Sequence, residues 1–218
     1  YYLKSINIEN GFVRIYNRIT EIYSETFETN NYRYISYNNL GLIYITVNED
    51  VENAKEYLKE SAFAEYPFGQ NNYGLLNQFY LDKIANAEYM YEKSSKHNFP
   101  LAEFNIGRIK EQKREIKESI EFYIQASEHE NNKLLYRDTI FTDKRLEISI
   151  RFIICLTNFK LVDYFFSINQ YEEAKKYFAK SINNIKNMGD DSIYQFKLIF
   201  KNHNESKNDL FVSLKKYI

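Results

Sequence analysis

Asn39-Leu40-Gly41, Asn72-Tyr73-Gly74 and Asn105-Ile106-Gly107 decide how this chain folds. Their glycines stand 33 residues apart each time (41 to 74, 74 to 107). Downstream, Ala54, Ala87 and Ser119 follow at steps of 33 and 32, and Ser61, Ser94 and Ala126 repeat those steps seven residues later. Pro67 and Pro100 keep the same period. A fixed period in the low thirties marks a repeat architecture, in which each unit buries its apolar face against its neighbours.

Each unit reads as two helices. In the first, residues 36–68, Tyr37, Leu40, Ile43 and Tyr44 share one helical face. Asn48-Glu49-Asp50 interrupts the pattern and offers N-cap oxygens. Val51, Ala54, Tyr57, Leu58 and Ala62 then make a second face, and Tyr66-Pro67 closes the unit, because the residue before a proline is pushed out of the helical region. Residues 69–101 and 102–133 repeat this plan. Phe99-Pro100 closes the second unit, and the charged connector of the third, Lys110 to Arg114, is one residue shorter. Glycine inside a helix costs about 1 kcal/mol against alanine. Three in register therefore predict close helix–helix approach, with Ala54, Ala87 and Ser119 facing them.

Beyond the triplicate, residues 134–187 read as a longer fourth repeat. Its opening breaks the period, a long helix follows from about Lys144 to Ile168, and Tyr171 to Ile182 returns to the pattern. Residues 1–35 read as an N-terminal partial repeat or cap, and residues 188–218 as a C-terminal cap. No low-complexity linker divides them, so one domain is expected. The chain opens on Tyr1-Tyr2-Leu3-Lys4, with neither an initiating methionine nor a signal peptide, and we expect a fragment of a longer protein.

Composition agrees with helices. With 44% hydrophobic and 27% charged residues the chain can bury a core, and Gly 6 and Pro 2 are too few breakers for an all-β fold rich in tight turns. A formal net charge of -1 gives no general attraction to nucleic acid or anionic membrane. No run approaches the roughly 18 apolar residues of a membrane helix. The single cysteine, Cys155, lies in the apolar run Phe152 to Leu156. It reads as a small core residue and favours a reducing, cytoplasmic location.

Leu40-Gly41, Tyr44, Ala54, Leu58, Ser61 and Pro67, and later Phe165, Tyr171-Glu172-Glu173-Ala174, Phe178 and Ser181, resemble the tetratricopeptide repeat and its relative the Sel1-like repeat. The resemblance covers roughly 36–127 and 159–187. It departs from the pattern in the longer Gly-to-Ala loops of units one and two and in the missing proline of units three and four, so both repeat types stay open. It implies an all-α fold, a right-handed α-solenoid of antiparallel helix pairs. It also implies a non-enzymatic scaffold whose concave face, lined by the first helix of each pair, grips a peptide or protein segment. In the aligned pattern the position two before the glycine faces that groove, and here it is Asn39, Asn72 and Asn105. An asparagine amide can pair with both the N–H and the C=O of an extended backbone, and tetratricopeptide peptide receptors, pheromone sensors among them, use asparagines there. Lys160 takes the same place in the fourth unit and Arg108 lies one past Gly107, either able to hold a carboxylate.

Catalytic signatures are missing: there is no phosphate-binding glycine loop, no G-x-S-x-G and no H-E-x-x-H. His97 and His129 occupy equivalent repeat positions, expected about 10 Å apart, with no further ligands for zinc. We expect no enzyme activity, no metal and no cofactor. The function expected is peptide or protein binding, with the sensing half of a peptide-responsive transcription regulator as its sharper form. The alternative is a structural oligomerisation scaffold without a small ligand. The partners expected are a peptide or protein, with no membrane, with nucleic acid only through a domain outside this chain, and with a homodimer as the arrangement a scaffold would take.

Overall fold

The computed structural model describes residues 33–46, 48–129 and 144–186, and for 144–150 and Lys186 the helix alone. Of the expected N-terminal cap at 1–35, residues 1–32 lie outside the described residues, as do the expected C-terminal cap at 188–218 and the opening of the fourth repeat at 134–143. By its contacts the chain falls into two compact units, residues 1–139 and 140–218, where the sequence leads us to expect one domain. Each is described by itself.

Among the described residues of the first unit six helices follow one another as α1 (Arg33–Thr46), α2 (Val51–Phe63), α3 (Pro67–Phe79), α4 (Ile84–Ser95), α5 (Pro100–Gln112) and α6 (Ile116–Glu128). The second holds α7 (Lys144–Ser167) and α8 (Tyr171–Lys186). Consecutive helices pair as hairpins, α1 with α2, α3 with α4, α5 with α6 and α7 with α8, and among the described residues every element is a helix. This is the all-α solenoid expected.

Local chemistry sets the boundaries. Asp50 caps α2, its carboxylate accepting from the Asn53 N–H at 3.1 Å. Pro67 and Pro100 stand in the first turn of α3 and α5, where a missing N–H costs nothing. The prolines therefore open the following pair; they do not close the preceding one, and the hairpins run 33–63, 67–95 and 100–128. Helix α5 also extends to Gln112, so Lys110 is helical and the connector to α6 is residues 113–115. It is one residue shorter than the connector at 80–83, as the spacing predicts. Among the described residues each turn holds one residue with positive φ, and none is glycine: Glu49, Asp82, Arg114 and Asn169 inside hairpins, Glu65 and Asn98 between them.

Inside each hairpin of the first unit the mid-helix glycine is a notch for a side chain. A Cβ on Gly74 would lie 2.5 Å from Cε1 of Tyr91, one on Gly107 2.6 Å from Cε1 of Tyr123, and one on Gly41 2.5 Å from Cγ of Leu58. The close approach is as expected, and the Ala54 carbonyl oxygen lies 3.2 Å from the Gly41 Cβ position, but the nearest atoms belong to side chains one helical turn further along the second helix. Ala54, Ala87 and Ser119 are buried beside it, and Ser119 donates to the Gly107 carbonyl at 2.8 Å. Tyr91 and Tyr123 are fully buried, and their hydroxyls reach the first helix, donating to Gln78 Oε1 and Glu111 Oε2 at 2.8 Å each. Burial pushes both phenols well above their ordinary pKa.

Neighbouring hairpins are joined by an aromatic row, Tyr34 to Tyr66 to Phe68 to Phe99, with centroids 4.8, 5.4 and 4.5 Å apart. Ser61 and Ser94 repeat one bond, each donating at 2.8 Å to a first-turn carbonyl, of Tyr34 and Pro67. In the second unit Cys155 is buried, as expected, with its Sγ 3.2 Å from the Ser181 carbonyl and Ile185 beside it.

Candidate functional site

In the first two hairpins charge is kept off the first helix. Helix α3 carries no charged residue and α1 only Arg33. Helix α2, by contrast, alternates Glu52, Lys55, Glu56, Lys59 and Glu60. Helices α1 and α3 thus offer a face of amides and apolar groups, and α2 a solvated one.

The asparagines on that face touch one another. Asn105 donates to Asn71 at 3.0 Å, Asn71 to Asn72 at 3.3 Å, Asn72 to Asn38 at 2.8 Å and Asn38 to Asn39 at 3.3 Å. Five amides from α1, α3 and α5 make one continuous chain with all donors in the same sense, an arrangement in which each bond polarises the next. It ends at α5 because Phe104 stands where Asn38 and Asn71 stand in the first two hairpins. Asn38, Asn71 and Asn105 are buried, while Asn39 and Asn72 are half-buried. Each amide has two N–H groups and two lone pairs, so Asn72 keeps one of each beyond the ladder. The predicted site asparagines are thus brought together, with a packing role the pattern does not reveal. Asn38 and Asn71 are the members that the sequence reading missed. The signal for them is present as the doublets Asn38-Asn39 and Asn71-Asn72 at the repeat interval.

Next to the ladder, between α1 and α3, lies a pocket of about 460 Å³. Leu42 and Ile45 of α1 face Leu75, Leu76 and Phe79 of α3 across it, with Leu58 and Tyr80 completing the wall and Asn72 as its one polar amide. None of these residues is charged. Phe79 and Tyr80 are more than half exposed at its rim.

Arg108 is half-buried on α5, its guanidinium 5.9 Å from the centroid of Phe104. It has no carboxylate partner among the described residues. The other cation of α5 is committed: Lys110 bridges Glu88 at 3.1 Å and Glu115 at 2.9 Å. Lys113 also holds Glu88, and these lysines outweigh the effect of burial and keep the Glu88 carboxyl below its usual range. Lys160 is half-buried on α7, in the second unit.

Glu103 is a buried acid at the start of α5. Burial pushes its carboxyl up to about 6, against the opposing hydrogen bond and charge of His129, whose Nδ1 lies 2.6 Å from Oε1. Among the described residues no group of three His, Cys, Asp or Glu side chains could hold a metal ion. No helix among them is long and apolar enough to cross a membrane.

Stacked helical hairpins joined by a row of asparagine amides make a helical-repeat architecture. Residues 157–187 match the model of the tetratricopeptide repeat. The hairpins of residues 33–129 follow the same helix-pair plan, and repeats of this kind generally mediate protein–protein contacts without catalysis. The fold is similar to the crystal structure of MamA, with 16% identity and a TM-score of 0.44 over 83% of this chain and 91% of that one. It is also similar to a Sel1 repeat protein from Oxalobacter formigenes, with 18% identity and a TM-score of 0.43 over 84% and 87%. No curated protein matches the sequence.

Proposed function

We propose that the first unit binds an extended peptide or protein segment along the face made by α1, α3 and α5, without catalysis. The observation that carries this reading is the apolar pocket beside the half-buried Asn72 amide. An extended backbone crossing there would meet the spare N–H and lone pair of Asn72 and Asn39, while its side chains met apolar wall. Arg108 would take a carboxylate of the ligand, an acidic side chain or a chain terminus, by a charge-assisted bond. Lys160 would serve the second unit in the same way. The narrower form, the sensing module of a peptide-responsive transcription regulator working in the cytoplasm, is supported by the likeness of these asparagines to those of peptide receptors.

A random peptide library displayed on phage and panned against the full chain tests it. Selected peptides should lose roughly tenfold or more in affinity with Asn72→Ala or Arg108→Gln, the effect of removing a buried or charged hydrogen bond. Peptides whose affinity ignores both substitutions would overturn the reading.

A further inference from the structure

The pocket has a cause in the repeat itself. In the second and third hairpins a tyrosine fills the glycine notch and spans to the first helix, Tyr91 to Gln78 and Tyr123 to Glu111. The first hairpin has Leu58 at the tyrosine position and Ile45 at the acceptor position. Leucine covers Gly41 but lacks the outer half of a ring and a hydroxyl. Ile45, with no phenol to receive, is apolar. Both residues line the 460 Å³ pocket. One repeat has therefore exchanged its internal ring for an open apolar space.

The next hairpin sets a second condition. Leu42 and Leu75 line the pocket from equivalent positions, and the third residue of that row is Arg108 (42 to 75, 75 to 108). Helices packed side by side are about 10 Å apart, a distance spanned by about three residues of extended chain at ~3.3 Å each. An uncharged pocket penalises a charged occupant, which would lose its hydration there without a counter-charge. An arginine with no carboxylate partner among the described residues favours an acid.

Building on the peptide-binding reading, we infer that this face selects a segment carrying one large apolar side chain, leucine or phenylalanine, about three residues from a carboxylate. The apolar side chain enters the α1–α3 pocket in the space that the neighbouring repeats fill with their own tyrosine. The acid pairs with Arg108.

The test uses the full chain and fluorescently labelled heptapeptides of glycine and serine. Each carries one guest (Leu, Phe, Ala or Lys) and an aspartate placed one, three or five residues to either side. Leu and Phe guests with the three-residue spacing should bind roughly tenfold or more tighter than Ala or Lys guests, the gain from burying a large apolar side chain. The double variant Leu58→Tyr/Ile45→Gln copies the second hairpin into the first. It should retain its helical circular dichroism and lose the preference for Leu over Ala. Equal affinity for Leu and Ala guests on the native chain, or no binding by any of them, overturns the inference whether or not the variant folds. Library-selected peptides that still depend on Asn72 would then leave the broader reading standing, and peptides indifferent to Asn72 and Arg108 would remove that reading by itself.

Discussion

The hairpins of residues 33–129 close on glycine, and the hairpin of residues 144–186 closes on valine. In the first three, Gly41, Gly74 and Gly107 leave room for a side chain four residues past the small residue of the second helix. In the fourth, Val162 holds the equivalent place, twelve before Ala174 as Gly107 is twelve before Ser119. Val162 is buried, 2% exposed, where the other hairpins carry a glycine. The ring work shifts accordingly. Phe178, the counterpart of Tyr123, is only half-buried, meeting Phe159 edge-on at 6.4 Å. Tyr177, one position earlier, is buried and stacks on Phe165 at 5.5 Å with the planes 2° apart. One hairpin plan thus tolerates two closures, provided that glycine pairs with a deep ring and valine with a shallow one. What does not transfer is the ladder: the asparagine doublet belongs to the first two hairpins alone, and the pocket lies beside it.

Exchanging the two closures breaks the comparison most severely. Gly107→Val drives methyls into the ring of Tyr123, which Phe104 and Glu111 hold in place. It should cost about 3 kcal/mol, at the upper end for overpacking a core. The reverse change, Val162→Gly, should cost about 2 kcal/mol through a cavity and the poor helix propensity of glycine. Urea denaturation measures both, and a stabilised Val162→Gly would mean that the fourth hairpin can adopt the deep-ring closure.

A smaller effect separates the units by pH. The Glu103 carboxyl of the first unit is raised to about 6 from an ordinary 4.5. The folded state therefore binds its proton more tightly than the unfolded state. The stability this group contributes is fully present below about 4.5 and is lost as the pH rises through 6, a swing of about 2 kcal/mol. Glu103→Gln should flatten that component of the curve between about pH 4 and 7; an unchanged curve would show that Glu103 titrates normally. The smallest effect concerns the turns. Glu65 sits at φ 58 between α2 and α3, where a Cβ costs roughly 1 kcal/mol. Glu65→Gly should raise the unfolding midpoint by a few degrees, and a fall would show that the Glu65 side chain holds the turn.

The repeat, its helices and its one-residue contraction were legible because period and apolar phase are written in the residues. The glycines were legible as contact points, yet their partners were placed at Ala54, Ala87 and Ser119. The alanine step is the visible part of the pattern, whereas the contacting atoms lie one turn further, at the ends of Leu58, Tyr91 and Tyr123. Proline disfavours helix before itself, so Pro67 and Pro100 read as stops; each equally suits a first helical turn, and there the structure puts them. The ladder was half legible. Asn39, Asn72 and Asn105 stood out by register, but a bond between residues 34 apart depends on how adjacent helices align, and that alignment brings in Asn38 and Asn71. The pocket was not read at all. It is a deficit of volume, visible only when Leu58 is compared with its counterparts in the next two copies.

The central claim is that ligand binds on the α1–α3–α5 face, and side-chain NMR tests it most directly. A peptide selected from the library is titrated into the full chain, isotope-labelled at asparagine amides and at leucine and isoleucine methyls. The account predicts shifts concentrated on the Asn72 and Asn39 amides and on the methyls of Leu42, Ile45 and Leu75. Shifts confined to α2, α4 and α6, with those resonances unmoved, would contradict it.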